Sequence, residues 1–180
     1  MAISTQAPIR AVLDEIGHHS HASAGFTTAL VGAAGGALGQ AVLGISGAPT
    51  ARLSAIVPAL ETLADDDIHA LDRLVTLRAQ GREAEGWEAL VATPLQMGEL
   101  ACEAAEILQA NRAHVAEHVK DDLEFSIVLV AAAARSALLI VESNLRQWRA
   151  PALHARFGPE SERLARRIAA LSPIERLAWR

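Results

Sequence analysis

The chain is poor in several residue types, and each scarcity excludes something. Cys102 is its only cysteine, so no intramolecular disulfide can form, and a reducing, cytoplasmic setting is the expectation. Tyrosine is missing and aromatics make up 3% of the residues. Ala and Leu must then supply most of the apolar bulk, which favours helices over strands. Lys120 is the single lysine beside fifteen arginines, so lysine chemistry is excluded everywhere else. Basic charge is not in excess: the net charge of −5 and pI near 5.8 argue against nucleic acid as a partner, which would call for a basic face. The N-terminal MAISTQAPIRAVLDEIG shows no charged-then-apolar signal pattern. No strand alternation, internal repeat or low-complexity segment is legible.

What is present is helical. Residues 26–46 carry no charged side chain, and Gly32, Gly35, Gly36 and Gly39 fall among them. Spacings of four place Gly32 with Gly36 and Gly35 with Gly39 on shared faces, where a missing Cβ admits another backbone. Each glycine costs about 1 kcal/mol in a helix interior relative to alanine, so close packing must compensate. About 20 apolar residues would also suffice to cross a bilayer. The Ala/Gly/Thr composition, Gln40 and the lack of flanking Lys/Arg and aromatic anchors favour a buried core helix over a membrane span.

Around this central helix the pattern predicts a first helix over residues 8–17 and a long third helix after Thr50 to about Gln80, with a bend at Pro58. GREAEG is the expected surface connection. A fourth helix follows over 87–111 with a kink or break at Pro94, and a fifth runs from about Asp121 until Pro151 ends it. A short amphipathic helix over 161–171 and a tail, SPIERLAWR, complete the chain. The expected architecture is an all-α, single-domain bundle of about five long helices spanning residues 1–180.

Five blocks, in order, resemble the cyclodeaminase/cyclohydrolase family, which includes formiminotetrahydrofolate cyclodeaminase and methenyltetrahydrofolate cyclohydrolase. IRAVLDEI resembles its opening FLDxLA-type helix, and GAAGGALGQAV its central GALGAALxxMV helix. LADDDIHAL is similar to LxDxDxxAF, placing Asp65 and Asp67 on its acidic positions. ATPLQMGELACEAAEIL is similar to xVPLxLAExCxExxxL, and DDLEFSIVLVAAAARSALLIVESNL to SDxGVAxxLxxAxLRxALLNVxxNL, placing Asp122, Arg135 and Asn144 on matching polar positions. The departures fall in the loops. The family's PTPGGGS becomes HASAGF at His21 to Phe26, with only Gly25 kept. Its basic KKxY-type patch becomes SGAPTARL, and Glu124 replaces a glycine.

The resemblance implies a tetrahydrofolate derivative as substrate. Its methenyl bridge would be hydrolysed, or its formimino group cyclised with release of ammonia. It implies no metal, and a homodimer with sites near the interface. A carboxylate suits this chemistry, stabilising the cationic methenyl state and serving as base towards water. Asp67 and Asp122 are the catalytic candidates, joined by His21 in the rewritten loop, where an imidazole could supply acid/base chemistry. Ser23, Gly25, Phe26, Asp65 and Arg135 are candidate substrate-binding residues. Asp65, Asp66 and Asp67 cannot all face one groove at 100° per residue, so at least one is a solvated surface acid. Arg135, in a nearly apolar helix, needs a partner across the bundle or a dimer interface. His18, His19 and His21, and the i,i+4 pair His114/His118, read as loop and surface histidines ahead of a metal set. Two other readings stay open: a family member turned to another pterin or C1 carrier, and a binding protein that keeps only the bundle.

Overall fold

The computed structural model describes residues 4–18 and 23–175; His21, and with it one candidate catalytic group, lies outside them. Six α-helices follow one another: α1 (Ile9–His18), α2 (Ala24–Ile45), α3 (Ala51–Ala79), α4 (Trp87–Ala110), α5 (Lys120–Trp148) and α6 (Pro151–Ala170). Short 3-10 turns, Glu83–Gly86, Arg112–His114 and Glu117–Val119, sit in the connections. No strand occurs among the described residues.

Helix α2 is the axis of the bundle, and its glycines record how its neighbours run. A Cβ on Gly32 would lie 3.3 Å from both Ala133 Cβ and Leu60 Cδ1, and one on Gly36 3.1 Å from Val57 Cγ2. A Cβ on Gly35 would come within 2.7 Å of Leu129 Cβ and 3.2 Å of the Val130 backbone nitrogen, and one on Gly39 within 2.6 Å of Leu108 Cδ2. Rising numbers on α2 thus meet falling numbers on α3 and α5, and rising numbers on α4. Helices α3 and α5 run antiparallel to α2, and α4 runs parallel to it. Close approach is the compensation that four helical glycines require.

Both α2 and the stretch from Glu117 to Trp148 are long and apolar enough to span a membrane by composition. In the bundle, α2 packs against α3, α4 and α5, which accounts for its apolar faces. Phe26, Leu43, Leu53, Ile56, Leu60 and Leu108 are buried to about the last atom in the main core. A second cluster, with Val91, Cys102, Ala134 and Leu164, fills the space between α4, α5 and α6.

None of the three internal prolines interrupts its helix: α3 runs through Pro58, α4 through Pro94 and α6 through Pro159, so the break expected at Pro94 is absent. The last helix is longer than the sequence pattern suggested. Pro151 ends α5 and also starts α6, occupying the N-terminal position where its fixed φ and missing N–H cost nothing. Three surface ion pairs, Arg156–Glu88, Arg163–Glu99 and Arg167–Glu106, tie α6 to α4. At the end of the bundle where α2 starts, Trp87 and Trp148 stack with ring centroids 5.7 Å apart.

Candidate functional site

The start of α2 lacks a local cap. Ser23 stands at the capping position, but its side chain makes no capping hydrogen bond. Instead Thr27 donates to the Ser23 carbonyl from both its amide, at 3.0 Å, and its hydroxyl, at 2.8 Å. The acceptor for the helix end comes from across the bundle. Asp67, on α3, receives a hydrogen bond from the Phe26 amide, so its carboxyl serves the positive end of α2 in place of a local side chain.

Gly25 is required by this approach: a Cβ there would overlap the Asp67 carboxyl group. Asp67 is only 4% exposed. Burial pushes its carboxyl up from an ordinary 3.8 to about 6, outweighing the Phe26 amide, which acts in the opposite direction. The result is a carboxyl that changes charge close to neutral pH, inside the protein.

A groove of about 520 Å³ opens next to this point. Ile16 of α1, Ser23, Thr27 and Thr28 of α2, and Ser136 and Leu139 of α5 line it. The Ser23 hydroxyl is buried without a hydrogen-bond partner among the described residues, a cost of about 1–3 kcal/mol that a bound polar group would relieve. The volume is in the range of small-molecule sites, and a mostly apolar lining with a few hydroxyls is their usual make-up. Sequence reasoning missed Thr27, Thr28, Ser136 and Leu139. The signal was there in part, since hydroxyls are otherwise sparse along the Ala-rich α2 and α5.

The other candidates are dispersed. Asp65 is occupied by the N-terminal segment, accepting from the Thr5 amide at 2.9 Å and the Thr5 hydroxyl at 3.0 Å. Asp66 is exposed. The Phe26 ring is sealed in the core, so only its amide reaches the Asp67 site. Asp122 is exposed in the first turn of α5. From Asp122 to Ser136, at 1.5 Å per residue, is about 20 Å, so a single chain does not bring Asp67 and Asp122 together. Arg135 is exposed on the outer face of α5 and forms no ion pair with the described residues. The glutamate substituted near the start of α5 is the well-buried acid there: Glu124 holds Arg112 in a two-pronged pair at 2.7 and 2.8 Å. Cys102 is fully buried, and burial pushes its thiol up to about 11, which suits packing and not nucleophilic attack. Among the described residues no group of three or more His, Cys, Asp or Glu is arranged to hold a metal ion.

No protein-family model matches the chain, and no curated protein matches it in sequence. Its structure is similar to that of formiminotetrahydrofolate cyclodeaminase from Thermotoga maritima, with a TM-score of 0.84 over 92% of each chain and 14% sequence identity. The chain has the all-α fold of that cyclodeaminase.

Proposed function

We propose that the chain binds a tetrahydrofolate-like small molecule in the groove at the start of α2 and acts on its one-carbon unit, with Asp67 moving the proton. The observation that carries this is the Asp67 carboxyl, buried against the first turn of α2 and titrating at about 6, at the helix end where a groove holds the Ser23 hydroxyl, which has no partner among the described residues. Structural neighbourhood to a formiminotetrahydrofolate cyclodeaminase supports the choice of ligand class.

A group with this pKa can work in either direction near neutral pH. As carboxylate, Asp67 stabilises a methenyl cation and takes a proton from water as the water oxygen bonds to the bridge carbon. The ring C–N bond then breaks as Asp67 returns that proton to the leaving nitrogen and the hydroxyl proton passes to solvent, leaving a formyl group. As carboxylic acid, it gives its proton to a departing amine, so that ring closure of a formimino group releases ammonia. The Ser23 hydroxyl is suited to hold a polar edge of the ligand, and Ile16 and Leu139 to cover its flat apolar part.

A homodimer through α5 would complete the site. Phe125, Val128, Ala132 and Leu139 are exposed along one face of α5, with the small Ala132 midway between Phe125 and Leu139. Antiparallel pairing of two copies about Ala132 sets Phe125 of each against Leu139 of the other. It also brings Asp122 of the second copy to the groove at the start of α2, on the end of the bundle that holds Asp67, across an isologous interface.

The test is decay of the methenyltetrahydrofolate chromophore with purified protein, set against buffer, Asp67→Asn and Asp122→Asn. Accelerated decay that Asp67→Asn removes supports hydrolysis. Absence of acceleration, of formimino turnover, and of any thermal stabilisation by folates or simpler pterins would refute the proposal.

A further inference from the structure

Beyond Ala170 the chain leaves the helix: the Leu171 N–H still donates to the Ile168 carbonyl, and Ser172, Pro173 and Glu175 have their backbone groups held by side chains. Gln109, at the end of α4, pairs with Ser172 through both halves of its amide: the Ser172 N–H donates to Oε1 at 3.1 Å, and Nε2 donates to the Ser172 carbonyl at 3.0 Å. The Pro173 carbonyl accepts from Arg112 Nη2 at 3.0 Å, and the Glu175 N–H donates to Glu124 Oε2 at 3.0 Å. Pro173 has no N–H to satisfy. A carboxamide presents a donor and an acceptor side by side as a peptide unit does, so Gln109 reads the segment much as a neighbouring strand would.

The receiving surface is built in advance. Arg112 and Glu124 hold each other in a two-pronged pair at 2.7 and 2.8 Å that does not use the segment's atoms, so their mutual attraction favours the same placement when the segment is away. Beside the segment lies a cavity of about 410 Å³, lined by Ile127, Ala131 and Leu171 and by Val128 and Ala132, at the margin of the α5 face proposed above for dimer contact. Residues 172–175 are all exposed, and Ile174 keeps 54% of its surface in water. Such a segment, with neither ladder nor helix behind it, opens without the rest of the bundle.

The geometry points to a second recognition surface, separate from the groove at α2: the cleft between the end of α4 and the start of α5 is a receptor for an extended peptide, and residues 171–175 are its resident, releasable ligand. The chemistry it reads is a backbone with paired N–H and C=O groups, then an imino residue, then an apolar one, as in Ser172–Pro173–Ile174.

Amide exchange in the full chain tests the release. The Ser172 and Glu175 amides should exchange at least tenfold more slowly than in an unstructured chain, yet at least tenfold faster than core amides of α2. Gln109→Ala should speed both tenfold or more, although Glu175 does not touch Gln109, because the segment opens as a unit. A full chain carrying Pro173→Gly and Ile174→Ser tests the receptor: a synthetic LSPIE peptide should shift its Gln109 side-chain amide and Arg112 Nε–H resonances, and the Arg112 shift should be lost when Gln109→Ala is added. Exchange at Ser172 and Glu175 as slow as the core, or as fast as free peptide, would overturn the proposal. So would an opened chain that ignores the peptide or binds it equally without Gln109.

Discussion

Replacing Asp67 by asparagine should make the protein more stable, and by an amount that depends on pH. A carboxyl that titrates at 3.8 when unfolded and at about 6 when folded gives up about 3 kcal/mol to remain ionised above pH 6. Between those values the folded state binds more protons than the unfolded one, so wild-type stability falls as pH rises from about 4 to 6 and levels off beyond. Asparagine has nearly the same shape, and its carbonyl can still accept from the Phe26 amide, but it carries no charge to desolvate. The stability difference between the variant and wild type should therefore grow by about 2 kcal/mol from pH 4.5 to pH 8. In thermal unfolding that growth corresponds to roughly 4–8 °C. Any constant effect of the extra amide protons cancels when the two pH values are compared. A difference that stays the same at pH 4.5 and pH 8, or shrinks, would refute a buried, proton-retaining Asp67. Stabilisation at pH 8 coupled to lost turnover would be the signature of a group kept for chemistry at the expense of stability.

Two further outcomes follow from the packing. Gly25→Ala should destabilise the bundle, because the new methyl overlaps the Asp67 carboxyl. Adding Asp67→Ala should recover part of that loss, and urea denaturation of the single and double variants would show non-additivity of about 0.5–3 kcal/mol. Strict additivity would mean that the two do not touch. Glu124→Ala strands the Arg112 guanidinium, whose side chain is 13% exposed, and should cost about 3–5 kcal/mol. Arg112→Leu with Glu124→Leu should recover most of this, since it leaves no unpaired charge; a double variant as unstable as the single one would contradict that account.

Much of the fold was legible because helix signals are local. The glycine spacing of α2, the start of α3 after Thr50 and its end near Gln80, and the extent of α4 and α5 follow from periodicity and end signals, and those bounds hold to within a residue or two. Pro151 was legible only in half, because a proline that stops one helix can begin the next. The apolar character of α2 and α5 was legible as well, and their packing against several neighbours explains it. Asp65, Asp66 and Asp67 are equivalent as letters. What separates them is the direction of α3 against the first turn of α2, which leaves Asp66 in water, gives Asp65 to Thr5 and buries Asp67 beside Gly25.

The sequence by itself determined that the chain is helical, where the first five helices lie, and that its central helix must be approached closely, since these depend on spacing and on residues a few positions apart. Only the tertiary structure decided which acid is desolvated, that the Ser23 hydroxyl is buried with no partner among the described residues, that Arg112 and Glu124 are joined, and that the C-terminal segment lies on Gln109. Those contacts link residues from 12 to more than 60 positions apart, and burial depends on all the neighbours at once. A carboxyl's pKa follows its surroundings, and the surroundings of Asp67 exist only when α2 and α3 are packed.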